Sequence, residues 1–178
     1  MTPYHHPACL PEAELLKQCM VTTGRADGPG GQHRNKVETH VELLHQPSGL
    51  HSQAGERRSQ VENKHEAVER LRLLLAVNVR TAPPVRKGLA LLDDPGGSEL
   101  WRSRVRGKRI ILNPDHHDYP SMLAEAFDTI AHCGWEPSRA AVLLDTSASQ
   151  LIKLAKDHPP ALLHWNVQRA GLGLHSLK

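Results

Sequence analysis

The feature of this sequence that most constrains its fold is the run Gly28-Pro29-Gly30-Gly31-Gln32. Three glycines and a proline in four consecutive positions are unsuited to the interior of a helix or of a central strand. Glycine loses the most backbone entropy on ordering, and proline lacks the N–H donor. The run ends in the uncharged amide of Gln32, and a polar, helix-compatible run, residues 34–40, follows it. The segment is therefore predicted to be an irregular loop with a fixed root on one side.

Four further short motifs follow this loop in a defined order. They are Asn35-Lys36, the turn Pro47-Ser48-Gly49, then Arg58-Ser59-Gln60 and Asn63-Lys64. A bare Gly-Gly-Gln is weak because short glycine motifs recur by chance, but the whole series is much more specific. With these motifs, residues 12–80 resemble the catalytic domain of class-I peptide chain release factors and of their ribosome-rescue relatives.

In that family the Gly-Gly-Gln (GGQ) loop enters the peptidyl transferase centre and promotes attack of water on the ester between peptide and tRNA. The resemblance implies that Gly30 and Gly31 permit a close backbone approach and that the Gln32 N–H donates to the developing oxyanion. The Gln32 side chain would select water as the nucleophile. The implied partners are large-subunit rRNA of the ribosome and peptidyl-tRNA, and a methyltransferase that modifies Gln32 is a further candidate. No cofactor or metal ion is required. An ordinary hairpin loop is the alternative interpretation.

The resemblance also implies residues that brace the loop or face rRNA phosphates, although a solvated or capping role is an equal alternative for each. Two departures from the family pattern, Asp27 in place of a common serine and Arg34 in place of a small apolar residue, concern docking of the loop rather than its chemistry. The candidate RNA- or ribosome-binding residues in this part are Arg25, His33, Arg34, Asn35, Lys36, Arg57, Arg58, Asn63 and Lys64.

The predicted fold class is α+β, with a small sheet, a packed long helix and an irregular GGQ loop, followed by a mainly helical C-terminal domain. The double proline Pro83-Pro84 ends the first domain. Residues 1–82 are therefore predicted to form the release-factor-like domain and residues 83–178 the helical one. The first domain is predicted to contain a short helix over residues 11–19 and strands over residues 20–23, 40–45 and 50–54.

The long helix of the first domain is predicted to begin after Ser59 and to end near Val79. Glu62 lies three residues after Ser59, which is the spacing of a capping box. Apolar residues then recur every three or four positions, and this period predicts a face packed on the sheet. The residues expected on that face are Val61, Ala67, Val68, Leu71, Leu74 and Leu75.

The helical domain begins with a basic run that holds five lysines and arginines in eight positions. Residues 101–112, which contain this run, are predicted to form a pair of strands that turns at Gly107. A helix is predicted over residues 120–133. The side chains expected to face inward from that helix are Leu123, Ala126, Phe127 and Ile130.

Two short helices meeting at Asp145-Thr146, with Ser147 capping the second, resemble a helix-turn-helix. The basic run and this helix pair are the candidates for docking to RNA or to the ribosome. A solvated hairpin and an ordinary helical hairpin are the alternative interpretations. The candidate RNA- or ribosome-binding residues in this domain are Arg104, Arg106, Lys108 and Arg109.

The composition is that of a mildly basic globular protein, with a formal net charge of +3 and only 3% aromatic residues. The scarcity of aromatics disfavours base stacking and favours phosphate and shape contacts to RNA. Three cysteines at unrelated spacings, no signal-like N-terminus and no membrane-length apolar stretch predict a cytoplasmic protein without membrane contact. The adjacent histidines His5-His6 and His116-His117 are expected to be solvent-exposed rather than metal ligands.

Two functions are consistent with these patterns. The first is codon-independent hydrolysis of peptidyl-tRNA on the ribosome, because the residues outside the GGQ domain leave little room for stop-codon-reading domains beside a helical domain. The long Lys/Arg-rich tail of many rescue factors is not matched by residues 171–178, which contain one lysine. The second is a non-catalytic RNA- or ribosome-binding regulator that uses the helix-turn-helix-like pair. The intact Gly-Gly-Gln favours the first.

Overall fold

Two sets of contacts organise the chain. The structure, a computed structural model, describes residues 4–25, 38–84 and 96–178. One compact unit is Leu10–Leu75, and the other combines Ala76–Lys178 with the N-terminal residues up to Cys9. The domain boundary predicted at residue 82 stays a prediction. None of the helices in the described ranges is long and apolar enough to cross a membrane.

The Leu10–Leu75 unit is built on an antiparallel sheet in which β2 lies between β1 and β3. The ladder pairs Gly24 with His40 at one end of β1 and Cys19 with His45 at the other. The predicted α+β fold class and all three strands of this sheet are confirmed. The elements of this unit are α1 (Glu12–Lys17), β1 (Cys19–Gly24), β2 (His40–His45), β3 (Leu50–Ala54) and α2 (Gln60–Asn78), whose last residues belong to the other unit.

The core of this unit lies between β2 and α2. Alternate residues of β2, Val41 and Leu43, are buried because successive side chains of a strand point to opposite faces. From α2, Ala67, Val68, Leu71 and Leu75 are fully buried, as the helical period predicts, and Leu74 is half-buried. The prediction for Val61 is wrong, because its side chain is 78% exposed. In the first turn of α2 the inward position is occupied by Asn63 instead.

The second unit is mainly helical and is centred on its longest helix, α4. Leu123, Ala126, Phe127 and Ile130 of that helix are buried, as predicted. The two short helices of the predicted helix-turn-helix-like pair are present, and the Ser147 hydroxyl caps the second by accepting from the Gln150 N–H. The elements are a 3-10 helix (Pro7–Cys9), α3 (Glu99–Arg104), β4 (Val105–Arg106), β5 (Arg109–Ile110), α4 (Tyr119–His132), α5 (Pro137–Leu143), α6 (Ala148–Lys156) and α7 (Pro159–Gly171).

The start of the basic run differs from the sequence prediction. Residues 101–104 belong to helix α3 and not to a strand, because Ser98 caps that helix by accepting from the Trp101 N–H at 3.1 Å. The indole of Trp101 is fully buried and donates to the Leu144 carbonyl at 2.9 Å, which also fixes this helix in the core. The turn at Gly107 is present, but each strand beside it has only two residues.

A buried carboxylate joins three segments of the helical unit. Asp128, on α4, accepts hydrogen bonds from the Tyr4 hydroxyl at 2.8 Å and from the N–H and the hydroxyl of Thr81, and it pairs with the Arg80 guanidinium at 3.2 Å. Burial and the neighbouring Asp128 raise the pKa of Tyr4, so its hydroxyl remains a donor. Arg80 also lies over the Phe127 ring, 5.4 Å from its centroid. Asp128 therefore ties residues 4–9 and 80–81 to the helical core.

We expect Asp128→Asn to lower the unfolding free energy of the helical unit by about 3 kcal/mol, because it leaves the Arg80 cation without its buried partner. Trp101, Trp135 and Trp165 all lie in this unit and none lies in the other, so denaturant unfolding followed by tryptophan fluorescence reports on this unit alone. Asp115→Asn, an exposed change of the same charge, should alter the value by less than about 0.5 kcal/mol. Equal unfolding midpoints for the two variants would contradict this role of Asp128.

Candidate functional site

The chain between β1 and β2 contains the GGQ residues. Residues 26–37 lie outside the described residues. The two ends of this connection meet at the sheet, where Gly24 and His40 form the last pair of the ladder. The predicted site residues that lie outside the described residues are Gly30, Gly31, Gln32, His33, Arg34, Asn35 and Lys36.

Asn63 holds the chain where it returns from this connection. Its side chain is completely buried, and its amide nitrogen donates to the Thr39 carbonyl at 2.6 Å and to the Arg57 carbonyl at 2.9 Å. Its amide oxygen accepts from the Arg57 N–H at 2.9 Å. One side chain thus joins the root of the GGQ-bearing segment to the loop that precedes α2, and it does so in a place where water cannot substitute for it.

A neighbouring side chain binds the next carbonyl along the same root. Gln60 donates from its amide to the Glu38 carbonyl at 2.9 Å, so α2 binds two consecutive carbonyls of the returning chain. Helix α2 is itself started by Ser59, whose hydroxyl accepts from the Glu62 N–H at 3.4 Å, as predicted. The motifs Arg58-Ser59-Gln60 and Asn63-Lys64 therefore lie together at the helix start that supports the root.

The other predicted residues of this unit differ in exposure. Arg25, Arg57 and Arg58 are exposed, and Lys64 is half-buried. Of the two roles that the resemblance implies for Asn63, bracing the loop or facing rRNA, its complete burial leaves only the first. The RNA contact proposed for Asn63 is therefore corrected to a bracing role.

A polar depression of about 490 Å³ lies beside this root and was not predicted from the sequence. Its lining includes Thr22, His40, Glu42 and Gln53 from the three strands. The Glu42 carboxylate lies between two imidazoles, 3.2 Å from His40 Nε2 and 3.8 Å from His51 Nε2. The available signal was the alternation of polar residues along β2, where His40 and Glu42 share a face opposite the buried Val41.

An arginine closes one side of the depression. Arg70, on α2, donates to the Gln53 carbonyl at 2.8 Å and to the Glu56 carboxylate at 2.9 Å. The hydrogen bond from Arg70 lowers the pKa of Glu56 to about 2, so this carboxylate is ionised at neutral pH. Through these hydrogen bonds, Arg70 connects the end of β3 to α2 and forms part of the wall of the depression.

The predicted basic residues of the helical unit fall into two groups. Arg104 is bound within the protein, because its guanidinium donates to the Asp118 carboxylate through Nε at 3.0 Å and through Nη2 at 2.5 Å. Arg106, Lys108 and Arg109 are exposed and form no ion pair with any residue that the structure describes. The structure therefore leaves three of the four predicted cations free for a partner.

The histidines of the two pairs differ in how far they are exposed to solvent. His117 is exposed, as predicted, but His6 is buried, so its predicted exposure is wrong. Its Nδ1 accepts from the Ala8 N–H at 3.0 Å and its Nε2 lies 3.1 Å from the Val79 carbonyl, which makes it part of the packing of the N-terminal segment. Burial lowers the pKa of His6, consistent with a neutral ring.

In the described ranges, one group of side chains has the proximity required for a metal ion. Ligand atoms of His116, His117 and Asp118 lie within 4.8 Å of one another. The Asp118 carboxylate, however, already accepts from the Arg104 guanidinium, and a fixed cation beside the group opposes binding of a second one. These interactions support a structural ion-pair cluster rather than a metal site.

Comparison with known proteins places the root and the GGQ residues in one family domain. Residues 15–87 match the RF-1 domain. The chain is 35% identical over 138 residues to peptide chain release factor 1 of Chlorobaculum tepidum, an alignment that covers 69% of this chain and 38% of the relative. It is 42% identical over 131 residues to peptide chain release factor 1 of Chloroherpeton thalassium, covering 65% and 36%.

The chain is also similar to a eukaryotic relative. The chain is 39% identical over 116 residues to the peptide chain release factor 1-like, mitochondrial protein of Mus musculus, covering 60% of this chain and 31% of the relative. Residues 15–87 are therefore an RF-1 domain of the class-I peptide chain release factor family. The chain spans about two fifths of the length of the bacterial relatives.

We expect Asn63→Ala to lower the local unfolding free energy at the root by about 1–3 kcal/mol, because the buried carbonyl of Thr39 and the backbone of Arg57 lose their partner. The Leu10–Leu75 unit contains no Phe, Trp or Tyr, so hydrogen exchange of β2 and α2 amides is the suitable measurement. Val61→Ala, an exposed change in the same turn, should leave protection within about 0.5 kcal/mol of wild type. Unchanged protection in Asn63→Ala would refute the bracing role.

Proposed function

We propose that this protein hydrolyses the ester between peptide and tRNA on the ribosome, and that it does so without reading a codon. The observation that carries the proposal is that Gly30-Gly31-Gln32 lies inside the stretch that matches the RF-1 domain, residues 15–87. That the reaction does not depend on a codon is a separate and more specific claim than hydrolysis itself. It is supported by the mainly helical unit that follows the GGQ domain within residues 96–178.

The chemistry follows from the residue types in the loop. Gly30 and Gly31 have no Cβ, so the backbone can adopt torsions and approach distances that are closed to other residues. The N–H of Gln32 donates to the oxyanion that forms when water attacks the ester carbonyl, and a fixed donor at that position lowers the barrier. Its amide side chain neither titrates nor attacks, so it shapes the pocket for water. The products are a free peptide carboxylate and a tRNA hydroxyl.

The supporting residues of the RF-1 domain have two roles in this proposal. Asn63 and Gln60 hold the root of the GGQ-bearing segment through the carbonyls of Thr39 and Glu38. Cations of the same unit contact rRNA phosphates, which attract them without base specificity. The proposed rRNA contacts in this unit are the polar residue Asn35 and the basic residues Arg25, His33, Arg34, Lys36, Arg57, Arg58 and Lys64.

We expect Gly31→Ala and Gln32→Ala each to reduce the single-turnover rate of peptide release from stalled ribosomes by about a hundredfold, the usual cost of misplacing a reacting group. A Cβ at position 31 prevents the close approach that brings the Gln32 N–H to the oxyanion, and loss of the Gln32 amide side chain changes the pocket that positions water. The assay uses ribosomes that carry radiolabelled peptidyl-tRNA and no codon in the decoding site. Gln46→Ala changes an exposed glutamine in the turn before β3 and should release peptide at the wild-type rate.

Three results would contradict parts of the proposal. A wild-type protein that is no more active than Gln32→Ala would refute the hydrolytic function. Release only from ribosomes that hold a stop codon would refute codon independence and leave the hydrolytic function intact. Co-sedimentation with ribosomes without any release would favour the alternative, a non-catalytic RNA- or ribosome-binding regulator.

A further inference from the structure

The hairpin of the helical unit concentrates positive charge at its turn. Arg106 and Arg109 are directly opposite each other in the ladder of β4 and β5, and Lys108 lies between them in the turn. Like charges at directly opposed positions destabilise a strand pair. No acidic side chain in the described part of the chain forms an ion pair with any of the three. The hairpin therefore carries an electrostatic cost that an anionic partner would relieve.

The turn itself has a fixed shape. Gly107 and Lys108 have φ values of 54° and 64°, and positive φ at both central residues is the mark of a tight two-residue hairpin loop. The Ile111 N–H donates to the Arg104 carbonyl at 2.8 Å, which continues the pairing beyond the two short strands. The cations are thus presented by an ordered backbone, and a partner would bind without first having to order this segment.

Two hydrogen bonds attach the hairpin to the helix pair. The Thr146 hydroxyl, in the turn between α5 and α6, donates to the Lys108 carbonyl at 2.9 Å. The Ile110 N–H donates to the Gln150 side chain of α6 at 3.0 Å. The hairpin and α6 therefore form one structural element.

Helix α6 continues the basic surface. Lys153 lies three residues after Gln150, so it is the next residue along the side of α6 that contacts the hairpin. Lys153 and Lys156 are both exposed and form no ion pair within the described residues, but Lys156 lies about 120° around the helix from Gln150, so Lys153 is the lysine nearer the hairpin side. Asp145 and Asp157 are the exposed acids at the two ends of α6, and they leave an excess of positive charge.

The chemistry of the surface favours a nucleic acid duplex as its partner. Cations that follow a rigid edge match regularly spaced phosphates, and phosphate contacts supply most of the affinity for nucleic acids. Stacking on single-stranded bases would need exposed aromatic rings, but Trp101, Tyr119, Phe127 and Trp165 are buried and Tyr4 and Trp135 are half-buried.

We propose that the hairpin Val105–Ile110 and helix α6 form one phosphate-binding surface that contacts the backbone of duplex RNA. The choice of RNA over DNA rests on the proposed function, whereas the surface itself does not. This assigns to the helical unit a role of its own, the binding of structured RNA independently of the GGQ residues.

The test measures binding of the full chain to a short fluorescent RNA duplex by anisotropy over a series of salt concentrations. Lys108→Asn with Arg109→Gln should weaken binding about tenfold or more and reduce the slope of log K against log salt by about 2, because two phosphates are no longer neutralised by the protein. Arg139→Gln with Lys178→Gln, two exposed cations of the same unit, removes the same charge and should retain wild-type affinity. Asp145→Asn should strengthen binding.

Several outcomes would overturn the inference. These are no binding of the wild type to the duplex, equal decreases in affinity for the two double variants, or tighter binding to a DNA duplex of the same sequence. Equal unfolding midpoints by tryptophan fluorescence exclude a folding defect in the hairpin variant. Gln32→Ala should bind the RNA duplex as the wild type does. Hairpin-dependent binding without peptide release would therefore refute the proposed function and leave this surface in place.

Discussion

The structure of the RF-1 domain depends on one buried amide. Asn63 uses both of its polar atoms to join the chain that returns from the GGQ-bearing segment to the loop before α2. Because the amide has no access to water, each bond that it makes is costly to break. The described chain on both sides of the GGQ residues is held at the sheet. The last pair of the β1–β2 ladder joins Gly24 to His40, and Asn63 binds the Thr39 carbonyl beside that pair.

The helical unit is held together by different means. Its core is aromatic, with the Phe127 ring centroid 5.9 Å from that of Trp165 and 6.2 Å from that of Trp135. The buried Asp128 fastens the N-terminal segment to the same core. The Leu10–Leu75 unit has an aliphatic core and no Phe, Trp or Tyr. The two units therefore differ in what stabilises them, and in the proposed division of labour one carries the chemistry and the other the binding of structured RNA.

Much of the fold could be predicted from the sequence because local signals agree with tertiary ones. The strands of the sheet and the helices α4, α5 and α6 follow from hydrophobic period and from caps such as Ser147. The wrong predictions concern burial. Val61 was expected inside and is exposed, whereas Asn63, for which both a bracing role and an rRNA contact were open, is buried because three hydrogen bonds to the backbone make a buried amide favourable. The burial of His6 depends on a distant carbonyl, that of Val79, which no local pattern indicates. The helical start of the basic run combines a local cap, Ser98, with the distant Leu144 carbonyl that binds the buried Trp101 indole.

The most direct test of the central claim is the rate of peptide release by Asn63→Ala at saturating protein. If Asn63 sets the position of the GGQ-bearing segment, the saturated rate should fall by roughly ten- to a hundredfold, the usual effect of a small misplacement of a reacting group. The concentration for half-maximal rate should stay unchanged, because the exposed cations that dock the protein are intact. A wild-type saturated rate would contradict the claim.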